Sequence, residues 1–270
     1  MTQNTSEGLG LRNLRLEIAY DGTDFYGWQR QPDQPTIQGL IESAIERISR
    51  EEARVIGAGR TDAGVHAVRQ VASFKTATPI PCQNLKRALN DVLPPTIRVL
   101  AVREAAPPFH ARYDATAKLY RYRILNREVC PPFLARFVHH RPGELDVDSM
   151  RRAARLLVGE HDFTSFAAAD SRLDQDNNES DARRPSAVRA ISSSRIIWHP
   201  GASMLVYEVQ GDGFLRHMVR NIAGTLIEAG RGALAADDIS GILRTHDRAA
   251  AGPTAPACGL WLIRVDYKSV

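Results

Sequence analysis

This chain contains the segment Val55-Ile56-Gly57-Ala58-Gly59-Arg60-Thr61-Asp62-Ala63-Gly64-Val65-His66-Ala67. The apolar pair Val55 and Ile56 precedes its glycine-rich middle and the alternating residues 69–74 follow it, so we expect a loop between two strands. A rigid scaffold can hold a reactive side chain in such a loop. Asp62 stands close to an arginine in a loop with too many glycines to pack a core, and is therefore the first candidate catalytic residue.

Two other interpretations fit parts of this loop. A dinucleotide-binding fingerprint needs a third glycine where Asp62 stands, a helix after the loop and an acidic residue about 20 positions on. No Asp or Glu occurs between Asp62 and Asp91, so the fingerprint fails. The second interpretation is a plain β-turn whose aspartate only caps the turn, which glycine-rich spacing also allows.

The composition is that of a soluble globular protein. Hydrophobic residues make up 43% of the 270 residues and charged residues 24%, and no segment reaches the roughly 18 apolar residues of a membrane span. The net charge of +4, carried mainly by arginine, permits a nucleic-acid partner. Cys82, Cys130 and Cys258 are odd in number and lack the spacing of a zinc site, which predicts neither disulfides nor a structural metal. We expect a cytoplasmic protein without a membrane anchor.

Apolar periodicity predicts an α+β fold built from two similar halves. In residues 1–112 the order is β-α-β-β-α-β, that of a ferredoxin-like or RRM-like unit, with strands near 14–20, 54–57, 69–75 and 97–102 and helices near 37–48 and 83–93. In residues 113–270 the order recurs with one added helix, from strands near 119–125, 188–197, 204–210 and 260–267 and helices near 148–158, 214–229 and 237–244. We expect two antiparallel sheets side by side with a central cleft between them.

An acidic stretch at 169–186 interrupts the second half. Its acidic residues and near absence of apolar residues predict a mobile surface insertion. Asp174 and Asp176 are spaced as in a calcium loop, but Glu179 stands where that loop needs glycine and Pro185 where it needs a bidentate glutamate. We therefore expect no calcium site there, and the histidine spacing indicates no other metal site.

The segment Lys118-Leu119-Tyr120-Arg121-Tyr122-Arg123 is both basic and aromatic. On a strand, Tyr120 and Tyr122 share one face. They are either core residues or a stacking platform for a nucleic-acid base. On the predicted helix at 214–229, Arg220 lies four residues after Arg216 on the same face, where both are either solvated or directed to a site.

Six motifs, in order along nearly the whole chain, resemble those of the tRNA pseudouridine synthase A family. They lie at 20–31, 57–66, 109–112 through 120–122, 162–166, 217–222, and 259–260 with 265–267. The chain departs from the family pattern after Phe166, where Ala167 and the acidic insertion replace an arginine and a cysteine-containing stretch. An acidic loop at that place repels RNA unless it points away.

The resemblance implies an isomerase that converts uridine to pseudouridine at positions 38, 39 and 40 in the anticodon arm of tRNA. It implies a homodimer that needs no metal or organic cofactor. By the same resemblance Asp62 is the nucleophile and Arg220 pairs with its carboxylate. Tyr120 contacts the target base, and Leu260 lines the pocket. Arg60, in the same loop as Asp62, has a supporting role in positioning a phosphate or nucleotide.

A carboxylate suits this reaction. Pseudouridine formation breaks an N-glycosidic bond, turns the uracil and forms a C-glycosidic bond, so a carboxylate can act at the sugar carbon as it does in glycosidases. Attack of Asp62 on C1′ of the ribose and on C6 of the uracil both stay open. A uridine stacked in a helix must be flipped out, which favours an aromatic contact such as Tyr120. Arginine-rich walls would make RNA binding fall steeply with salt.

Two other classes of protein are alternatives. A catalytically silent RNA-binding module accounts for the paired halves and the arginines, but it leaves the Asp62 loop without a purpose. A nucleoside or sugar hydrolase uses the carboxylate, but it usually needs a second acid at a defined separation. No local motif supplies that acid.

Overall fold

One large, mostly antiparallel sheet carries the helices of this protein. The computed structural model describes residues 10–168 and 187–268. In these ranges the strands are β1 (Arg12–Tyr20), β2 (Ile56–Gly57), β3 (His66–Thr76), β4 (Ile97–Glu104), β5 (Ala115–Leu125), β6 (His139–His140), β7 (Gly159–Asp162), β8 (Val188–His199), β9 (Met204–Gly211) and β10 (Leu260–Tyr267). The helices are α1 (Ile37–Ser49), α2 (Cys82–Val92), α3 (Val147–Arg155), α4 (Met218–Gly230) and α5 (Asp238–Thr245). The predicted α+β class is confirmed.

The sheet is continuous from the first half of the chain to the second. Its strand order is β4-β1-β3-β10-β5-β9-β8-β7, with β2 beside β3 and β6 beside β5. Strands β3 and β10 pair in parallel, with Trp261 opposite His66 and Leu262 opposite Ala67. The two sheets that the sequence predicts side by side are therefore one sheet, because this short parallel pair joins the two halves edge to edge.

Alternating side chains of β1 and one face of α1 supply much of the core in the first half. Leu14, Leu16 and Ile18 of β1 are fully buried, as the period of a strand with one apolar face requires. Helix α1 begins after Thr36, whose side-chain oxygen accepts from the Gly39 N–H at 3.3 Å and caps the helix. In the second half α4 packs against α3 and β5. Buried apolar residues of both halves form one connected core.

Two local features differ from the sequence-based expectations. The helix expected from residue 214 begins at Met218, because His217 has a left-handed φ of 62° that a right-handed helix cannot contain. Arg216 therefore precedes α4 and does not share a helix face with Arg220. Strands β6 and β7 were not anticipated, since both are short and polar. The expected insertion at 169–186 lies outside the described residues.

Within the part of the chain that the structure describes, no helix has the length and apolar character needed to cross a membrane.

Candidate active site

The loop that carries Asp62 is a tight turn at the entrance to β3. The Val65 N–H donates to the Asp62 carbonyl at 3.1 Å, and Gly64 has φ +78°, as the third position of a type II turn requires. The loop thus contains the β-turn of the alternative interpretation. The Asp62 carboxylate does not cap that turn, since its hydrogen bond comes from a distant arginine.

The segment 20–28, which belongs to the first of the six motifs, packs against this loop. The Trp28 N–H donates to the Thr61 carbonyl at 3.0 Å, and the Tyr20 hydroxyl lies 2.9 Å from Thr61 Oγ1. Gly27 has φ +85°, and a Cβ there would lie 2.6 Å from the Thr61 carbonyl oxygen. Backbone contacts at a position that only glycine tolerates therefore fix the loop.

The Asp62 carboxylate meets two side chains at the start of α4. Arg220 Nη1 donates to Asp62 Oδ2 over 3.2 Å, and His217 Nε2 lies 3.7 Å from the same oxygen. The other oxygen, Oδ1, accepts no hydrogen bond from residues 10–168 or 187–268. Because the Asp62 side chain is 22% exposed, one oxygen is held in place while the carboxylate stays open to a reactant.

Arg220 is held by the segment that leads to β10. Its Nε donates to the Ala255 carbonyl at 2.8 Å, and the Ala255 N–H donates back to the Arg220 carbonyl at 3.1 Å. This segment crosses α4 closely, since a Cβ at Gly224 would lie 1.7 Å from the Pro253 carbonyl oxygen. The fork of the guanidinium thus spans a backbone carbonyl and the Asp62 carboxylate, which a lysine ammonium cannot reproduce in the same geometry.

Asn221, which follows Arg220 in the motif at 217–222, has a structural role. Asn221 is fully buried. Its Nδ2 donates to the Phe166 carbonyl at 2.8 Å, and its Oδ1 accepts from the Thr254 hydroxyl at 2.6 Å. The side chain therefore ties α4 to two neighbouring segments and keeps the helix start in position.

Tyr120 and Tyr122 share one face of β5 but have different surroundings. Tyr122 is fully buried and its hydroxyl donates to the Pro256 carbonyl at 2.8 Å, as in a core residue. The Tyr120 ring packs edge-on against Phe214 with 5.1 Å between centroids, and its hydroxyl has no hydrogen-bond partner in the described ranges. Burial, reinforced by the nearby charge of Asp62, raises the pKa of Tyr120. The phenol therefore stays protonated and can donate to a bound molecule.

The two other predicted site residues, Leu260 and Arg60, have different surroundings. Leu260 is buried at the start of β10, opposite Tyr122 of β5, next to the junction of β10 with β3. Arg60 is exposed, and its Nε donates to Gln29 Oε1 at 2.9 Å rather than to Asp62. The structure thus brings Arg220 to Asp62 directly and leaves Arg60 on the outer side of the loop.

Sequence reasoning misses His217. The spacing of the histidines indicates no metal site, and the apolar pattern gives His217 no other role. The left-handed backbone of His217 turns the chain into α4 and brings the ring to Asp62. The only signal in the sequence is its place in the same motif as Arg220. In the described ranges, no three His, Cys, Asp or Glu side chains are placed to hold a metal ion.

The arrangement places a carboxylate that is paired with an arginine near a potential proton donor. The guanidinium of Arg220 stabilises negative charge on Asp62 Oδ2 through a charge-assisted hydrogen bond. The protonated hydroxyl of Tyr120 lies close enough to Asp62 for the two groups to interact electrostatically. A carboxylate oriented in this way suits attack on an electrophilic carbon.

Comparison with known proteins finds similarity to tRNA pseudouridine synthases. The family model described as tRNA pseudouridine synthase matches residues 18–114 and 153–268. A tRNA pseudouridine synthase A from Solibacter usitatus is 49% identical over 257 residues, which cover 95% of this chain and 100% of that protein. A tRNA pseudouridine synthase A 1 from Desulfotalea psychrophila is 44% identical over 263 residues, which cover 95% of this chain and 100% of that protein.

A search of solved structures matches a chain in the crystal structure of a Cbf5-Nop10-Gar1 complex. The match covers 93% of this chain and 58% of that chain, with 13% identity and a TM-score of 0.33. A TM-score at this level does not establish a shared fold.

Proposed function

Because this chain belongs to the tRNA pseudouridine synthase family and so isomerises uridine in tRNA to pseudouridine, we propose that Asp62 is the nucleophile of that reaction. The targets we propose are uridines 38, 39 and 40 in the anticodon arm, as the resemblance of the six motifs implies. The observation that supports the role of Asp62 is its pairing with Arg220, whose Nη1 lies 3.2 Å from Oδ2.

The reaction requires a charged group beside the sugar or the base. The bond between uracil N1 and ribose C1′ breaks, a bond between C5 and C1′ forms, and the proton on C5 is lost while N1 gains one. Attack of Asp62 on C1′ expels the uracil as an anion, whereas attack on C6 first forms an adduct with the base. Both routes need an ionised oxygen, and Arg220 stabilises that charge. The conversion of uridine to pseudouridine involves no net oxidation or reduction, so we propose that no redox cofactor takes part.

Tyr120 and Leu260 are proposed to hold the detached uracil. The Tyr120 hydroxyl can donate to a uracil carbonyl, and its ring gives the flipped base an aromatic contact. Leu260 is buried at the start of β10 and offers an apolar wall. Arg60, which is exposed in the same loop as Asp62, is proposed to contact a phosphate or the nucleotide from outside.

The two halves of the chain are proposed to be ferredoxin-like units that meet at the site, with a boundary near residues 112 and 113. The strand order is β4-β1-β3-β2 in the first half and β10-β5-β9-β8 in the second. In both halves the last strand therefore lies beside the first strand of that half, which in turn pairs with the strand before the last. Asp62 precedes β3 and Leu260 begins β10, so the site lies where the two units join. We propose that the anticodon arm binds in a cleft at this junction, in the cytoplasm.

We also propose that the protein is a homodimer. Val129 and Phe133, on the segment between β5 and β6, are 65% and 88% exposed, and exposed apolar side chains are a feature of contact surfaces. Light scattering coupled to size-exclusion chromatography measures the mass directly. A mass of one 29.9 kDa chain at micromolar concentration would contradict the proposal.

Tritium release from tRNA labelled with [5-³H]uridine tests the nucleophile, because C5 loses its hydrogen only when the new glycosidic bond forms. The native chain is compared with Asp62→Asn, which is nearly isosteric, and with Asp91→Asn, the same charge change at an exposed position of α2. We expect release by the native chain and by Asp91→Asn, and none by Asp62→Asn, while all three bind tRNA.

Release by Asp62→Asn would remove the nucleophile assignment. No release by any chain, with tRNA binding intact, would favour the RNA-binding module. Free uracil as the product would favour the hydrolase.

A further inference from the structure

His66 is a fully buried histidine at the end of the loop that carries Asp62. The Gly22 N–H donates to His66 Nδ1 at 3.1 Å, and the Arg136 carbonyl oxygen lies 3.0 Å from Nε2. Because a backbone N–H only donates and a carbonyl only accepts, both neighbours require the same neutral tautomer, with the proton on Nε2. These contacts hold the imidazole in one protonation state.

The ring of His66 packs where the two halves of the chain join. It stacks on Trp261 of β10, with 4.4 Å between ring centroids and an interplanar angle of 26°. Its centroid lies 5.3 Å from that of Phe137, and its backbone is paired with Trp261 in the parallel junction of β3 and β10. The turn after β1, the segment before β6 and the start of β10 therefore meet at this side chain.

Gly22 connects the imidazole to the Asp62 loop. A Cβ at Gly22 would lie 1.9 Å from the Val65 carbonyl oxygen, so the turn after β1 contacts the end of the loop directly. The same turn is tied to the loop a second time, because the Gly64 N–H donates to the Phe25 carbonyl at 3.3 Å. The Val65 N–H in turn donates to the Asp62 carbonyl. A displacement of Gly22 therefore reaches the backbone of Asp62.

Protonation of His66 would exchange one partner for another. Asp21 Oδ1 lies 3.2 Å from His66 Nδ1, and it also accepts from the N–H and the hydroxyl of Thr23. A proton on Nδ1 would be donated to this carboxylate, and it would oppose the Gly22 N–H, which is a donor as well. The neutral ring thus favours the contact with Gly22, and the charged ring favours the contact with Asp21.

Burial favours the neutral ring. The residues with titratable or charged side chains near the imidazole are Asp21, Asp24, Arg123, Arg136 and Cys258. Burial is the largest influence on His66 and lowers its pKa, and the charge of Arg123 acts in the same direction. The charge of Asp21 and hydrogen bonds to the backbone act in the opposite direction but do not outweigh burial. His66 therefore gains its second proton only in acid.

We propose that His66 is a positioning residue for Asp62, which in its neutral Nε2–H form holds Gly22 against the loop and on protonation releases Gly22 in favour of Asp21. Because Asp62 is itself assigned under the proposed function, the role of His66 rests on that function. The imidazole does not touch the reacting atoms, since it is buried and both ring nitrogens face protein groups. It makes the activity sensitive to acid through a residue that does not react.

Two variants separate the polar contacts of His66 from its ring. His66→Phe keeps a ring that can stack on Trp261 but leaves the Gly22 N–H without its acceptor. His66→Asn loses the ring, but its Oδ1 occupies the place of Nδ1 as an acceptor and does not titrate. The matched controls are His199→Phe and His199→Asn, at the exposed end of β8. Tritium release gives kcat and KM separately, and filter binding gives the Kd for a tRNA transcript.

The expected effect at pH 7.5 falls on the chemical step. His66→Phe should lower kcat roughly 100-fold, the scale of a reacting group displaced by a remote substitution, with little change in KM or Kd. His66→Asn should recover most of that loss, and both controls should behave as the native chain. A loss of tRNA affinity in His66→Phe with kcat retained would contradict the proposal.

The pH profile of kcat distinguishes positioning from a merely structural role. As pH falls through the pKa of His66, kcat of the native chain should decline by up to about tenfold per pH unit, with the neutral fraction of the ring. His66→Asn keeps the other titrating groups, so its decline should begin at a lower pH. Asp21→Asn removes the partner of the charged ring and should also shift the decline to lower pH. Profiles of both variants that match the native profile would overturn the proposal.

Nitrogen-15 NMR of histidine-labelled protein tests the tautomer without an activity assay. The signals of His66 are those absent from the spectrum of His66→Asn. We expect them at pH 7.5 to be those of a neutral ring with the proton on Nε2. A ring protonated on Nδ1 at that pH would overturn the proposal.

The failures of the two proposals are distinguishable. A native chain without isomerase activity, or an active Asp62→Asn, would overturn the proposed function. An active native chain with an inactive Asp62→Asn, but with a His66→Phe of native kcat, would overturn the role of His66 alone. If neither substitution at His66 folds, the pH profile of Asp21→Asn decides, and equality with the native profile contradicts the proposal.

Discussion

Arg220 holds Asp62 across the junction between the two halves of the chain, with Nη1 3.2 Å from Oδ2 and Nε bound to the Ala255 carbonyl. The guanidinium uses two separate N–H groups for these contacts. The geometry therefore depends on the shape of arginine as well as on its charge.

Arg220→Lys should reduce kcat/KM roughly 100-fold, the scale of losing one positioned charge-stabilising donor. Lysine keeps the positive charge but cannot span both acceptors, so Asp62 loses its fixed orientation. Steady-state tritium release measures the effect. Arg244→Lys, at an exposed position of α5, is the control and should retain native activity. Native activity in Arg220→Lys would show that charge alone suffices.

Tyr120→Phe and Tyr122→Phe remove hydroxyls with different surroundings. Tyr122 loses its hydrogen bond to the Pro256 carbonyl, and the free energy of unfolding should fall by about 1 kcal/mol. Tyr120→Phe keeps its ring against Phe214 and should change stability and tRNA affinity little. Urea unfolding and filter binding measure the two quantities. A collapse of the fold in Tyr120→Phe would favour the core interpretation for Tyr120.

Gly27→Ala should displace the loop that carries Asp62. The substitution meets a positive φ of +85° and places Cβ 2.6 Å from the Thr61 carbonyl oxygen. We expect destabilisation of more than about 1 kcal/mol together with loss of activity. Gly143→Ala is the control, because Gly143 has φ +92° but no atom within 4 Å of the added Cβ. Equal activity losses in both variants would contradict a role for the Thr61 contact.

Glu208 should contribute to the loss of stability in acid. Burial alone would raise its pKa, but hydrogen bonds and charges from Arg121 and Arg195 outweigh burial and lower it. A carboxylate with a lowered folded-state pKa stabilises the fold above its unfolded pKa, and this stabilisation is lost as pH falls through the folded value. Urea unfolding from pH 6 to pH 3 should therefore show a shallower decline for Glu208→Gln than for the native chain. The exposed Glu46→Gln should follow the native decline, and a native slope for Glu208→Gln would contradict the assignment.

The repeated apolar pattern made most of the fold predictable. Leu14, Leu16 and Ile18 alternate on β1 as the sequence indicates, because one face of that strand is buried. Such periodicity does not encode a short parallel contact between distant segments, so the pairing of His66 with Trp261 was not foreseen. It also does not reveal the left-handed backbone of His217, which moves the start of α4 to Met218.

The site was only partly predictable. Glycine-rich spacing singled out Asp62, whereas its pairing with Arg220 came from the family resemblance and is present in the structure. The contact of Asp62 with His217 depends on how two segments that are remote in sequence pack together. The spacing of residues within one segment does not predict such a contact.

The junction between β3 and β10 also bears on how the protein is made. Asp62 and β3 leave the ribosome long before β10, yet β10 supplies Leu260 and completes the sheet beside β3. Contacts between segments so far apart in the chain form late in folding, because the intervening chain must first be ordered. A nascent chain that has emerged only as far as β9 therefore carries Asp62, the proposed nucleophile, without Leu260, and its sheet is completed only near the end of its own synthesis.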